Sequence, residues 1–150
     1  MPRFLYRFIL ALSLLLPFAA HASDAGDFVA AESSQRAELL EAWAAKPDPA
    51  RVELLVALQE GRVAADSSNR AFIQNSDDSF TPVDPNAAAS ADAPSPDEPQ
   101  AISLNNRLRG LVETALASHQ LLAADAKLRL AAALTLQKSA RPAQLQLLMQ

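Results

Sequence analysis

Few residues in this chain combine the types and spacings that chemistry needs. Setting aside His21, which lies in leader-like sequence, His119 is the one histidine. A single imidazole supplies neither a metal cluster nor a Ser/His or Cys/His pair, so a packed or rim position is expected for it. The adjacent carboxylates Asp77-Asp78 and Asp97-Glu98 fall in loop-like sequence, with no scaffold to fix the separation that acid–base work requires. Asp66, Ser68 and Arg70 do not make a calcium loop, because the further acidic ligands, the glycine and the terminal glutamate are missing. Three glycines in 150 residues leave no phosphate-cradling loop. With no cysteine, disulfides and Cys-based zinc sites are excluded. No catalytic, cofactor or metal residue is assigned, and no enzyme is expected.

The elements around these residues read as mainly α. Half the residues are apolar, mostly Ala and Leu, and aromatics make up 5%, a composition suited to helices. The formal net charge of -4 becomes more negative once Arg3 and Arg7 leave with a leader, which disfavours nucleic acid and anionic membranes as partners. Met1–Ala22 has the form of a secretory signal. Arg3 and Arg7 supply the basic end, Phe8–Leu16 the apolar core, and Ala20 and Ala22 the small residues at the cleavage site. That core is shorter than the roughly 20 residues a membrane helix needs.

Residues 23–80 form an expected N-terminal helical unit. Phe28 and Ala31 begin a short lead-in helix. Ser33 or Ser34 caps a stronger one with Leu39, Leu40 and Trp43 inward, Trp43 serving as core. Lys46-Pro47-Asp48-Pro49 is a sharp break, with Asp48 as N-cap and Pro49 at the first helical position. Val52, Leu55, Val56 and Gln59 line the next helix, and Gly61 fits the left-handed position after its end. The period then changes to two, which predicts a small β-hairpin over 62–73 with its turn at Asp66–Asn69. Residues 81–101, carrying Pro82, Pro85, Pro94, Pro96 and Pro99 among Ala, Ser and Asp, read as a disordered linker.

Residues 102–150 are expected to be helical repeats. Leu104, Leu108, Leu111/Val112, Ala115 and Leu122 draw one apolar stripe, and Asp125 caps a second helix over Ala126 to about Gln137 with Leu128, Ala131, Ala132 and Thr135/Leu136 inward. After a break at Lys138–Arg141, Pro142 opens a third helix that is still apolar at Gln150. A helix of a stack does not bury its stripe alone, so the array reads as truncated. Pro49–Val56 also lies over Pro142–Met149 at an offset of 93, each following an Ala/Leu-rich helix. Two such units predict short antiparallel helix pairs of α-solenoid type.

The second unit, with Asp125, Leu128-Arg129, Ala131-Ala132-Ala133 and Leu136, resembles a short HEAT-like repeat. The order of segments resembles more. A leader, Glu38–Ala64 containing Lys46-Pro47-Asp48-Pro49-Ala50-Arg51, then Ala71–Gln74, a Pro/Ala linker, and Leu104–Leu111 before the Ala/Leu repeat are together similar to one known region. It is the N-terminal extracytoplasmic region of urea ABC transporter permeases (UrtB type), within the branched-chain amino acid permease family. Arg141 departs from that pattern, where Asp is expected before Pro142, and Arg cannot cap. The resemblance implies transport of urea, a place at the periplasmic face of the inner membrane, and no ATP site. As partners it implies the other transporter subunits and the periplasmic urea-binding protein. Membrane contact would come only through helices beyond Gln150. The alternative is a free-standing periplasmic HEAT-repeat adaptor. Apolar stretches of about 20 residues further along the reading frame would mark the permease, and a stop codon soon after Gln150 the adaptor.

Overall fold

The computed structural model describes residues 24–84 and 95–139. The signal segment with Ala20 and Ala22, the middle of the Pro/Ala linker and the third helix of the repeat region lie outside the described residues. Among the described residues, five α-helices and four strands follow in order: α1 (Asp24–Ala30), α2 (Ser33–Ala45), a 3-10 turn (Pro49–Arg51), α3 (Val52–Gln59), β1 (Val63–Ala65), β2 (Ala71–Gln74), β3 (Phe80–Pro82), β4 (Gln100–Ala101), α4 (Asn106–Gln120) and α5 (Ala126–Ser139). The fold is therefore mixed, with helices predominating.

Helix α4 is the centre. Its stretch from Thr114 to His119 is buried without interruption, because α2, α3 and α5 all pack against it. Leu108 and Val112 are 1% exposed, Ala115 is fully buried, and Leu111 joins them in one core with Phe28, Leu40, Trp43, Leu54, Leu55 and Leu58. The expected pairing is corrected here. Helices α2 and α3 share little contact with each other, and both lean on α4 instead, so no HEAT-type stack is formed by the described elements. The physical reason is area: α4 buries its whole circumference over Thr114–His119, which neither eight-residue α3 nor thirteen-residue α2 offers.

Local signals set most of the ends. Asp48 accepts from the Ala50 amide at 3.0 Å, as its N-cap role requires, although the turn it starts is 3-10 before it becomes α3. At the end of α3, Gly61 has φ +71°, the Gly61 amide donates to Leu58 O (3.2 Å), and the Arg62 amide donates to Ala57 O (2.8 Å). Those two bonds are the Schellman pattern, and its left-handed residue is cheapest as glycine. Asn105 accepts from Leu108 N at 2.9 Å to start α4. Asp125 accepts from Lys127 N at 2.7 Å to start α5.

Other expectations need correction. The start of α2 is not capped by Ser33 or Ser34. Glu32 stands at the N-cap, and the Gln35 side chain returns to accept from the Glu32 amide at 3.1 Å, the backward half of a capping box. Helix α1 begins at Asp24, earlier than Phe28. The buried face of α3 is Leu54, Leu55, Ala57 and Leu58, rotated from the expected Val52–Gln59 stripe, and Gln59 is exposed. Leu122 is 64% exposed because α4 stops at Gln120, before that residue. Leu128, expected in the core, is 45% exposed, and Ala131 is exposed too. Among the described side chains of α5, Ala132 and Leu136 alone are buried, against Ala117 and Leu121, since α4 is the one described element with which α5 packs extensively. Lys138 continues the helix instead of ending it.

The predicted hairpin is present as β1 and β2, paired antiparallel with Val63 opposite Ile73 and Ala65 opposite Ala71. It is half of a four-stranded antiparallel sheet in the order β3-β2-β1-β4. The two further strands correct the linker at its edges. Thr81 and Pro82 belong to β3, with Pro82 opposite Phe72, and Gln100 and Ala101 belong to β4. Both are outer strands of the sheet, where a proline removes no ladder bond that a neighbour needs. Val63, Ala71 and Ile73 join the helical core, while Phe72, fully buried, lies under the Arg70 guanidinium at 5.7 Å.

Candidate functional site

Three places among the described residues carry polar or unpartnered groups open to a function. The first is a cleft of about 410 Å³ between the C-terminal end of α1, the β1–β2 turn and the segment leading into β4. Arg36, Asp66 and Glu98 supply its charge. Arg36 is already engaged: its Nε donates to Phe28 O at 3.0 Å and its Nη2 to Val29 O at 2.9 Å, which satisfies carbonyls that the end of α1 leaves without helical partners. The same guanidinium lies 5.5 Å from the Phe28 ring centroid, and burial pulls its pKa down.

Asp66 is equally committed. Its Oδ1 accepts from the Ser68 and Arg70 amides, both at 2.9 Å, and its Oδ2 from Arg70 Nε at 2.7 Å. Burial alone would raise the carboxyl's pKa, but the bonds from Arg70 and Ser68 outweigh it and hold it below the ordinary value. Asp66 thus shapes the turn, with Asn69 left-handed at φ 58° beside it. Ser67 extends the network to the far side of the linker: its Oγ bonds Asp97 Oδ2 at 3.1 Å, and its amide donates to Asp97 O at 3.2 Å. Asp66, Arg70 and Asp97 are thus engaged in bonds that hold the turn and the segment before β4. Asp77 accepts from the Ser79 hydroxyl at 2.6 Å and from its amide at 3.1 Å, which lowers its pKa, so the Asp77-Asp78 pair also belongs to a turn.

The second place is His119, 5% exposed in the core side of α4. Its Nδ1 is 2.7 Å from Ala115 O, which fixes the proton on Nδ1, and its Nε2 has no hydrogen-bond partner among the described residues. Burial lowers its pKa, the Ala115 bond opposes that, and the nearby charges of Arg51 and Asp48 lower and raise it respectively. Arg51 itself ties the Asp48 turn to the core: its Nε bonds Asp24 Oδ2 at 2.6 Å, its Nη1 donates to Lys46 O at 3.0 Å, and it lies 5.6 Å from the Trp43 ring centroid. Trp43, 4% exposed, stacks at 5.6 Å on Phe28 and is core, not a ligand platform. Among the described residues, no group of three His, Cys, Asp or Glu side chains is placed to hold a metal ion.

The third place is the outer side of α5. Leu128, Leu130 and Leu134 are 45%, 64% and 52% exposed. At 100° per residue, Leu130 and Leu134 stand opposite Ala132 and Leu136, so α5 is apolar on two faces and only one is covered. Periodicity aimed at a single stripe had put Leu128 inside and left Leu130 and Leu134 unremarked. Their signal was the absence of a polar face over 128–136. Sequence reasoning also passed over Arg36, whose guanidinium reaches back to the Phe28 and Val29 carbonyls of the preceding helix. No described helix is long and apolar enough to cross a membrane. Searches against protein-family models, curated proteins and solved structures found no match for this chain.

Proposed function

We propose that this chain is the N-terminal extracytoplasmic segment of a urea ABC transporter permease, a helical bracing and interaction domain without catalysis. In this reading it is exported by a leader cleaved after Ala22 and sits at the periplasmic face of the inner membrane. It meets the other transporter subunits or the periplasmic urea-binding protein, and α4 with α5 opens a HEAT-like stack that continues outward.

The observation that carries the bracing role is α5 itself. A helix with leucines on both faces is built to lie between two neighbours, and among the described elements it has one. The transporter context comes from the sequence resemblance. Its two most specific stretches fall on joints of the fold, Lys46–Arg51 at the capped turn before α3 and Leu104–Leu111 at the start of α4. Arg36, Asp66, Asp97 and Asp77 are bound up in turns and helix ends, and selecting so small a solute as urea needs several free donors and acceptors converging in one pocket.

Amide NMR on the exported chain, titrated separately with urea and with a purified periplasmic urea-binding protein, tests this. Shifts with the binding protein, clustered on one surface, are the expected result. Saturable shifts with micromolar urea would make the chain a solute receptor and overturn it.

A further inference from the structure

We propose that the cleft beside β4 receives the carboxyl end of an extended peptide, which adds to the outer edge of that strand and sets its terminal carboxylate on Arg36. The inference concerns the sheet side of the fold and rests neither on the transporter reading nor on α5.

The first observation is a free edge with a known direction. Strand β4 is an outer strand of the sheet, and Gln100 and Ala101 are exposed. The Ile102 amide donates to Val63 O at 2.9 Å, so Ile102 turns its backbone groups to β1, and Gln100 does the same by alternation. Ala101, opposite Ala64, lies between them and directs its N–H and C=O away from β1. The far side of β1 agrees. The Gln74 amide donates to Arg62 O at 2.8 Å and the Asp66 amide to Arg70 O at 3.2 Å, so Ala64, midway between Arg62 and Asp66, bonds toward β2. An incoming strand can thus exchange both bonds with Ala101. Pro99 has no N–H to add, which keeps the pairing short and leaves affinity to other groups.

The second observation is a fixed cation with a nitrogen to spare. Arg36 lines the same cleft of about 410 Å³ as Ala101, a volume within the range of ligand sites. Its Nε and Nη2 are held by the Phe28 and Val29 carbonyls, and its Nη1 has no partner among the described residues. A guanidinium locked in this way is pre-organised, and a carboxylate is the acceptor that suits it best. Asp66 does not compete for it, since the turn amides and Arg70 occupy its oxygens. Glu98, which also lines the cleft, has no ion pair among the described residues, so a lysine upstream in the peptide suits it. Val29, Ala65 and Ile102 give an apolar wall for the last side chain. A chain end fits better than an acidic side chain, because its carboxylate belongs to the same backbone that pairs with Ala101.

The probe is acetyl-Gly-Lys-Thr-Val with a free carboxylate, titrated into the isotope-labelled full chain and followed by amide NMR. The same peptide with an amidated end is the control. The expected result is saturable shifts at Arg36, Ala101 and Ser103, with a dissociation constant below about 1 mM and at least tenfold weaker binding of the amide. Ala101→Pro removes the outward N–H and leaves the bonds to β1 in place. It should weaken the free-acid peptide at least tenfold while the Ile102 amide stays protected from exchange. If that protection is lost, the comparison of the two peptides on the unaltered chain decides alone. Absence of saturable shifts at these residues, or equal binding of the two peptides, would overturn the proposal. Full affinity in a protected Ala101→Pro chain would do the same. Shifts at Ala101 that grow with protein concentration and without peptide would place a second copy on the edge, and overturn it too.

Discussion

Replacing Asp66 by alanine removes the group that folds the β1–β2 turn. One carboxylate, its side chain fully buried, accepts from two turn amides and the Arg70 guanidinium. Bonds to a charged acceptor contribute about 1.5–3 kcal/mol, but these three are coupled, and Ser68 and Arg70 are exposed enough for water to replace part of the loss. We expect a net cost of about 2–3 kcal/mol for Asp66→Ala. With a guanidinium chloride slope of about 3 kcal/mol/M for a domain of this size, the midpoint falls by about 0.7–1 M. Asp66→Asn keeps an acceptor for the amides and loses only the charge facing Arg70, so about half that shift is expected. The sign with pH follows from the lowered folded pKa. The carboxylate's stabilisation is present above the unfolded value of 3.8 and is lost as pH falls through the folded value, so wild type and Asp66→Asn should converge in acid. Asp66→Ala shifting the midpoint by less than about 0.2 M would show that the turn is held by strand pairing instead of by this side chain.

Other outcomes follow from the same structure. Asp48→Ala should cost about 1 kcal/mol, the usual loss of an N-cap, read as a lower denaturant midpoint. His119, neutral and buried, has a folded pKa below its unfolded 6.5, so its contribution is full above pH 6.5 and is lost as pH falls from there to the folded value. A midpoint that drops between pH 7.5 and 5, and drops less in His119→Gln, is the expected signature. Leu136→Ala, at a fully buried site, should cost about 2–4 kcal/mol, whereas Leu128→Ala, at a half-exposed one, should cost less than about 1 kcal/mol in thermal or chemical unfolding. Hydrogen exchange should open α5 before α4, and equal protection of the two helices would contradict that order.

What was legible in the sequence was what depends on near neighbours in the chain. Asp48 before Pro49, Gly61 after α3, Asp125 before α5 and the apolar spacing of Leu108, Leu111 and Val112 are local instructions, and each is found in place. Trp43 and Leu55 were legible as core for the same reason. The sheet was half legible. The β1–β2 hairpin closes over five residues, but β4 pairs with β1 across some 35 residues, and two-residue Gln100–Ala101 has no period to read. The partner of each helix was not legible at all. An apolar stripe states that something covers it and does not say what, and α2 and α3 found α4 in place of each other. The same indeterminacy misplaced Leu128, whose spacing from Ala132 and Leu136 is right but whose end of α5 finds no cover among the described elements.

That difference between stripes and partners explains why α5 is the element with room for a function. The large core draws residues from α1, α2, α3, the sheet and α4, and none from α5. Helix α5 rests on a separate small cluster in which Ala132 and Leu136 meet Ala117, with Leu121 beside them. Two buried side chains contribute too little to hold fourteen residues tightly, given about 1–2 kcal/mol of backbone ordering per residue. Further cover for α5 would therefore raise its local stability while leaving the main core almost unchanged. In the proposed bracing role, two tasks are separated. The α1–α4 core with its sheet keeps the fold, and α5 takes up whatever its second apolar face receives.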